Sequence, residues 1–138
     1  MILLDTHAWT RWLHPEMGQS LPSGLRAWLE ATHEDFGVSI ISCLEIAQLV
    51  KRGRLILPLR LPTWFDAALD GSGIACLPLT PRILHTSTTL PDIHRDPADR
   101  IIISTAQTHG AVLITADTTI QKYPFVRCVW DAPPILDT

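Results

Sequence analysis

The chain has 138 residues, 46% of them hydrophobic and 18% charged, with 11 Lys and Arg against 14 Asp and Glu. That length suits one domain spanning residues 1–138 with its own core, and the apolar content excludes an intrinsically disordered chain. A formal net charge of -3 argues against nucleic acid held on a broad basic face, though not against nucleic acid reached through a bound cation.

In chain order, Ile2-Leu3-Leu4 is an apolar run read as a buried strand, and Asp5 follows it directly. This start has no basic leader region, so no signal peptide is expected, and no apolar run approaches the roughly 20 residues of a membrane span. Residues 21–33 carry Leu25, Trp28 and Leu29 at helical spacing. A strand is expected over 38–41, then a helix over 42–52 that starts at a capping Ser42 and stops at Gly53 after Lys51 and Arg52. Further helices are expected over 62–69 and 81–88, with a strand between them at 75–77. The clearest helix covers 96–109, with Asp96 as N-cap, Pro97 in its first position and Ile102, Ile103 and Ala106 on one stripe before Gly110. Strands follow at 112–114 and 127–129, and Pro133 and Pro134 end the regular structure. Continuous apolar strands alternating with helices indicate an α/β three-layer sandwich, a central, mostly parallel sheet flanked by helices.

The three cysteines, Cys43, Cys76 and Cys128, are widely spaced and odd in number. They are read as reduced, mostly buried residues of a cytosolic protein rather than as zinc ligands or disulfides.

In an open α/β sheet, ligands bind beyond the carboxyl ends of the strands. Asp5 follows the first strand, and Asp117 follows the strand at 112–114 by way of Thr115 and Ala116. Glu45 and Asp99 fall in the first turns of helices that begin at the same edge. Four carboxylates from distant parts of the chain therefore converge. Two unit charges about 4 Å apart repel by roughly 4 kcal/mol at an effective dielectric of 20. Either some of the acids hold protons or a divalent cation sits among them. An oxygen-only donor set selects hard ions, so Mg²⁺ or Mn²⁺ is expected rather than zinc.

Each acid also has a purely structural reading. Ser42 and Glu45 form a capping-box pair, and that pair alone favours capping. Asp99 stands in the third helical position after Asp96, where an acid complements the helix dipole. Its place on the apolar stripe, however, favours function. Asp5 is a candidate cap for a turn over 6–12, and Asp117 for a short helix through Ile120. Capping alone does not account for four acids at one edge.

These residues carry a resemblance. The chain resembles the PIN-domain ribonucleases, and among them the VapC-type toxins, through Leu3-Leu4-Asp5-Thr6-His7, Ser42-Cys43-Leu44-Glu45-Ile46, Asp96-Pro97-Ala98-Asp99-Arg100-Ile101-Ile102-Ile103 with Ala106, and Leu113-Ile114-Thr115-Ala116-Asp117. The stretches keep the family's order and spacing over essentially the whole chain. The resemblance implies a metal-dependent endoribonuclease whose catalytic and metal-binding cluster is Asp5, Glu45, Asp99 and Asp117. Asp5 and Asp99 would be the main ligands, with Glu45 and Asp117 completing the shell directly or through water. Thr115 matches a hydroxyl residue that orients metal-bound water, Thr6 is taken as a supporting residue, and Asp96 supports the site mainly as a cap. The resemblance further implies a cytoplasmic homodimer, an RNA substrate (often transfer RNA) and a cognate antitoxin whose C-terminal segment fills the groove.

Arg100 has two readings, an ion pair with a nearby acid, slightly favoured, or contact with an RNA phosphate. Lys51 and Arg52, with Arg54 and Arg60, form the one basic concentration, read as helix-end solvation with RNA-backbone contact as the alternative. The five tryptophans are read as core or interface anchors rather than base-stacking platforms. His7 and His94 are read as hydrogen-bonding neighbours of the acids, not as ligands. Two rival functions are weaker. A phosphotransfer enzyme with Asp5 as nucleophile lacks the usual acid two residues on, where His7 stands, and a non-catalytic binding module does not explain four intact acids. With those 4 acids set aside, 10 remain against 11 basic residues, so the negative charge is concentrated in the proposed site.

Overall fold

The computed structural model describes residues 1–17 and 20–131; the expected end of regular structure at Pro133 and Pro134 lies outside them. Five strands, β1 (Ile2–Leu4), β2 (Phe36–Ser39), β3 (Ile74–Leu77), β4 (Val112–Ile114) and β5 (Cys128–Val129), form one sheet in the order β3-β2-β1-β4-β5. Every pairing is parallel, so the expected "mostly parallel" sheet is parallel throughout. Among the described residues six α-helices accompany it: α1 (Thr6–Leu13), α2 (Ser23–Ala31), α3 (Ile40–Lys51), α4 (Leu61–Ala68), α5 (Pro81–Thr89) and α6 (Pro97–His109).

Alternation along β1 divides the core. Ile2 and Leu4 join Val38, Val112 and Ile114 against Trp9 of α1, Leu25 and Leu29 of α2, Ile46 of α3 and Trp64 of α4. Leu3 points the other way, with Leu113 against Ile102, Ile103 and Ala106 of α6. Both faces are thus dry, which is why the strands read as unbroken apolar runs. Trp9 and Trp64 lie 4.9 Å apart by ring centroid, and each indole N–H has a partner, Ala68 O for Trp9 and His14 Nε2 for Trp64. Both are core anchors; Trp12, Trp28 and Trp130 are only partly buried. In β2, Gly37 allows a close approach: a Cβ there would meet Leu77 Cδ1 at 3.2 Å, so the Leu77 side chain would have to give by a few tenths of an ångström.

One boundary differs in a way that matters for the site. The apolar pair Ile40-Ile41 reads as the end of a strand, but the strand stops at Ser39, whose hydroxyl accepts the Ile41 N–H at 3.2 Å. Ser39, not Ser42, is the cap, and α3 begins two residues earlier than expected. At the end of α6, Gly110 takes a left-handed conformation (φ 59°) and closes the helix as its sequence predicts. The cysteines also differ from expectation. Cys43 and Cys128 are half-buried and Cys76 is exposed, all three being free thiols. Burial first, then the neighbouring Cys76 thiol, raises Cys43 to about 12, which removes it from thiolate chemistry at neutral pH.

Candidate active site

The strand order fixes where a site forms. From β1 the chain moves to β2 and β3 on one side, then crosses to β4 and β5 on the other, so the crevice between the carboxyl ends of β1 and β4 is the switch point of the sheet. Leu4 pairs with Ile114, and the Asp5 N–H donates to Ile114 O at 3.2 Å. The residues just beyond the two strands, Asp5 and Thr115, are thereby set side by side. A cleft of about 320 Å³ opens there, lined by Asp5, Thr6, His7, Ala8, Arg11, Glu45, Asp96, Asp99, Ala116, Asp117 and Trp130. All four expected acids reach it, with Asp96 as a fifth.

Each carboxylate is held by the fold. Asp5 is buried and caps α1, its Oδ1 accepting the Ala8 N–H at 2.8 Å. The buried Thr115 hydroxyl donates to the Asp5 carboxylate and accepts the Asp117 N–H at 3.0 Å. A hydroxyl has one proton and two lone pairs, so Thr115 links the Asp5 carboxylate to the backbone of Asp117. The Thr6 hydroxyl lies 2.6 Å from Glu45 Oε1 and 2.9 Å from Ser42 Oγ, donating to the former. Asp117 Oδ1 accepts the Thr119 and Ile120 N–H groups at 2.8 and 3.2 Å.

The capping alternatives resolve on these bonds. With Ser39 as cap, Glu45 sits in the second turn of α3, too far along for a capping box with Ser42. Asp99 is likewise no capping-box partner, because the Asp96 N–H that such a box requires donates to His94 Nδ1 at 3.1 Å. Asp96 is the cap of α6, accepting the Ala98 N–H at 2.8 Å. Asp5 and Asp117 both cap and face the cleft. Two acids therefore have no capping role.

The electrostatics follow from this crowding. Burial pushes Asp99 up to about 7, and the negative charges of Asp96, Glu45 and Asp117 add to it against the opposing influence of His94. Burial also raises Asp5 and Glu45, partly offset by the Thr115 and Ala8 hydrogen bonds to Asp5 and by Thr6 at Glu45. At Asp117 burial is outweighed by hydrogen bonds from Ile120, His94 and Thr119, which hold its pKa below the ordinary carboxylate value. The site thus lowers the pKa of one acid and raises that of three. A positive ion among them would reverse that cost.

Two further residues contribute, His94, read from the sequence as a hydrogen-bonding neighbour of the acids, and Arg11, which the sequence reading missed. His94, which precedes α6, places Nε2 3.0 Å from Asp99 Oδ2 and 3.3 Å from Asp117 Oδ2; its short distance from Asp96 in sequence was the only signal. Arg11, one turn beyond His7 on α1, lines the mouth of the cleft with its guanidinium 5.4 Å from the Trp130 ring centroid. The i, i+4 spacing of His7 and Arg11 puts them on one face of the helix that Asp5 caps.

The expected RNA contacts are placed differently. Arg100 donates to Ser87 O, Leu90 O, Pro91 O and His94 O at 2.8–3.1 Å, with the Tyr123 hydroxyl at 3.4 Å. Its guanidinium holds carbonyls of α5 and of the loop joining α5 to α6, and it does not line the cleft. The slightly favoured ion pair is slight as well, since Asp92 is 3.8 Å away and fully exposed. Arg100→Lys, which cannot reproduce the planar fork, is expected to cost about 1–3 kcal/mol in urea unfolding through unsatisfied carbonyls. Lys51 and Arg52 are exposed at the far end of α3, about 9 Å along the axis from Glu45 at 1.5 Å per residue. They do not line the cleft. Arg54 instead lines an adjoining groove of about 720 Å³ that shares His7 and Arg11 with the cleft.

A family model described as PIN domain matches residues 2–126. The chain is 29% identical to Ribonuclease VapC22 of Mycobacterium tuberculosis over 132 residues, 94% of this chain and 98% of that protein. Among solved structures, a toxin-antitoxin complex from Klebsiella pneumoniae superposes with a TM-score of 0.66 at 21% identity, covering 97% of this chain and all (100%) of that one. VapBC2 from Rickettsia felis, bound to a DNA fragment from its promoter, gives 0.67 at 17% identity over 95% and 100% of the two chains. These two likenesses show the fold. With a match over nearly its whole length and the acids of its four motifs gathered at the sheet's switch point, the chain belongs to the PIN domain family.

Proposed function

We propose that this chain, as a single PIN domain, is a divalent-metal-dependent endoribonuclease acting as the toxin of a toxin–antitoxin pair. The observation that carries the reading is the convergence of Asp5, Glu45, Asp99 and Asp117 in one cleft, with Asp99 pushed up to about 7 by burial and by its acidic neighbours. The name of the relative, a ribonuclease, supports RNA as substrate, and the toxin-antitoxin neighbours support an antitoxin partner. Among the described residues no helix is long and apolar enough to cross a membrane. A cytoplasmic homodimer acting on RNA, transfer RNA included, completes the proposal.

The donor set fits Mg²⁺ or Mn²⁺, being made of carboxylate oxygens. Asp5, Glu45 and Asp99 would hold the ion, and Asp117, whose two oxygens already serve Ile120, Thr119 and His94, would contribute through water. Bound there, such an ion supplies Lewis-acid activation of water and stabilisation of the leaving oxygen. The chain's own residues do the positioning. Thr115 fixes Asp5, Thr6 fixes Glu45, and the α1, α3 and α6 starts bring them to one edge of the sheet. His7 and Arg11 place positive and polar groups at the mouth, where an incoming phosphate loses water.

The test is an RNA cleavage assay on purified protein. EDTA is expected to stop cleavage, Mg²⁺ or Mn²⁺ to restore it, and Asp5→Asn to remove it with the fold intact by circular dichroism. The products should carry 5′-phosphate and 3′-hydroxyl ends. Undiminished cleavage by Asp5→Asn, or in EDTA, would sink the assignment.

A further inference from the structure

His94 is fixed at every polar atom. Its backbone N–H donates to the Tyr123 hydroxyl at 3.0 Å, and its carbonyl accepts from Arg100 at 3.0 Å. On the ring, Nδ1 accepts the Asp96 N–H at 3.1 Å. An amide N–H can only donate, so Nδ1 carries no proton there and the ring proton is on Nε2. That Nε2–H hydrogen-bonds Asp117 Oδ2 at 3.3 Å, while Asp99 Oδ2 lies 3.0 Å from the same nitrogen.

This geometry bears on a simpler idea. Taken by distance alone, His94, Asp99 and Asp117 form a three-residue group able to hold a metal ion. Ligation through Nε2 requires its lone pair, hence the proton on Nδ1, hence two N–H groups facing each other at Asp96. The loop that presents His94 is itself clamped by Arg100 and Tyr123, and turning the ring over would give up the bonds at both of its nitrogens. We propose that His94 is a positioning residue and not a ligand: its Nε2–H, set by the Asp96 N–H, separates the Asp99 and Asp117 carboxylates and aims them. The Asp96–Asp99 segment thus does two jobs, its first backbone amide choosing the tautomer and its last side chain facing the result.

The inference rests on the metal-dependent reading above for its consequence, but its central claim is tested without metal. In metal-free protein, ¹⁵N–¹H imidazole spectra are expected to show His94 as the Nε2–H tautomer; an Nδ1–H signal overturns the proposal. Mn²⁺ binding is then followed by electron paramagnetic resonance, with pulsed detection of coordinated nitrogen. Wild-type protein is expected to show no directly bound imidazole. His94→Ala should bind Mn²⁺ about 10–100-fold more weakly, the usual penalty for losing a residue that orients a ligand. His94→Gln, which returns an N–H near the position of Nε2, should recover most of it. Nitrogen coupling that vanishes in His94→Ala, unchanged affinity in that variant, or equal weakness in both variants would each overturn the proposal. Mn²⁺ binding without RNA cleavage would instead overturn the ribonuclease reading and leave the role of His94 standing.

Discussion

Asp99→Asn is expected to lose RNA cleavage and yet to make the metal-free protein more stable, increasingly so as pH rises. The carboxyl moves from 3.8 to about 7 on folding, through burial first and then the charges of Asp96 and Glu45. The folded chain therefore holds a proton that the unfolded chain has released across that interval, and wild-type stability falls as pH climbs from about 4 to 7. At 1.36 kcal/mol per tenfold change in proton affinity, the full loss above pH 7 is roughly 4 kcal/mol. Asparagine keeps the shape and removes the charge. Urea unfolding in EDTA at pH 5 and pH 8 should show a gain that grows between them to about 2–4 kcal/mol. A gain that does not grow with pH would mean that Asp99 ionises without strain in the folded chain.

The same acids should make stability depend on divalent ions. Mg²⁺ or Mn²⁺ at 100 times its dissociation constant adds about 2.7 kcal/mol, a rise of roughly 10 °C in Tm for a chain of this size. Because the ion must displace the proton on Asp99, its apparent affinity should increase between pH 6 and 7, by at most about tenfold, and level off above. Thermal melts at several Mn²⁺ concentrations check this, with Asp99→Asn expected to be nearly insensitive. Equal stabilisation of wild type and variant would place the ion elsewhere.

Much of the fold was legible because the signals are local. Ile2-Leu3-Leu4 and Val112-Leu113-Ile114 are strands to the residue, and the cap-proline start and glycine stop of α6 stand where read. Ile40-Ile41 misled because β-branched residues favour strands only weakly, and a serine cap at Ser39 decides for the helix. Cysteine burial was overestimated, since composition says that thiols are usually inside but not which face of β3 Cys76 occupies. The main partners of Arg100 were hidden for a related reason. Its neighbour in sequence is an acid of the site, whereas its partners are carbonyls of another loop.

The sequence by itself determined most of the elements, though not helix α1 or the start of α3, and it carried the PIN motifs with their four acids, because periodicity, caps and spacing are written along the chain. The tertiary structure alone decided what those acids do for one another. It showed that Glu45 and Asp99 are free of capping, that Thr115 and Thr6 hold carboxylates, and that His94 stands between two of them. The physical reason is that a hydroxyl or a ring nitrogen has only a few places to donate or accept. Which groups occupy those places depends on residues far apart in sequence, Thr6 with Glu45 and Asp5 with Thr115, brought within reach only when the parallel strands align.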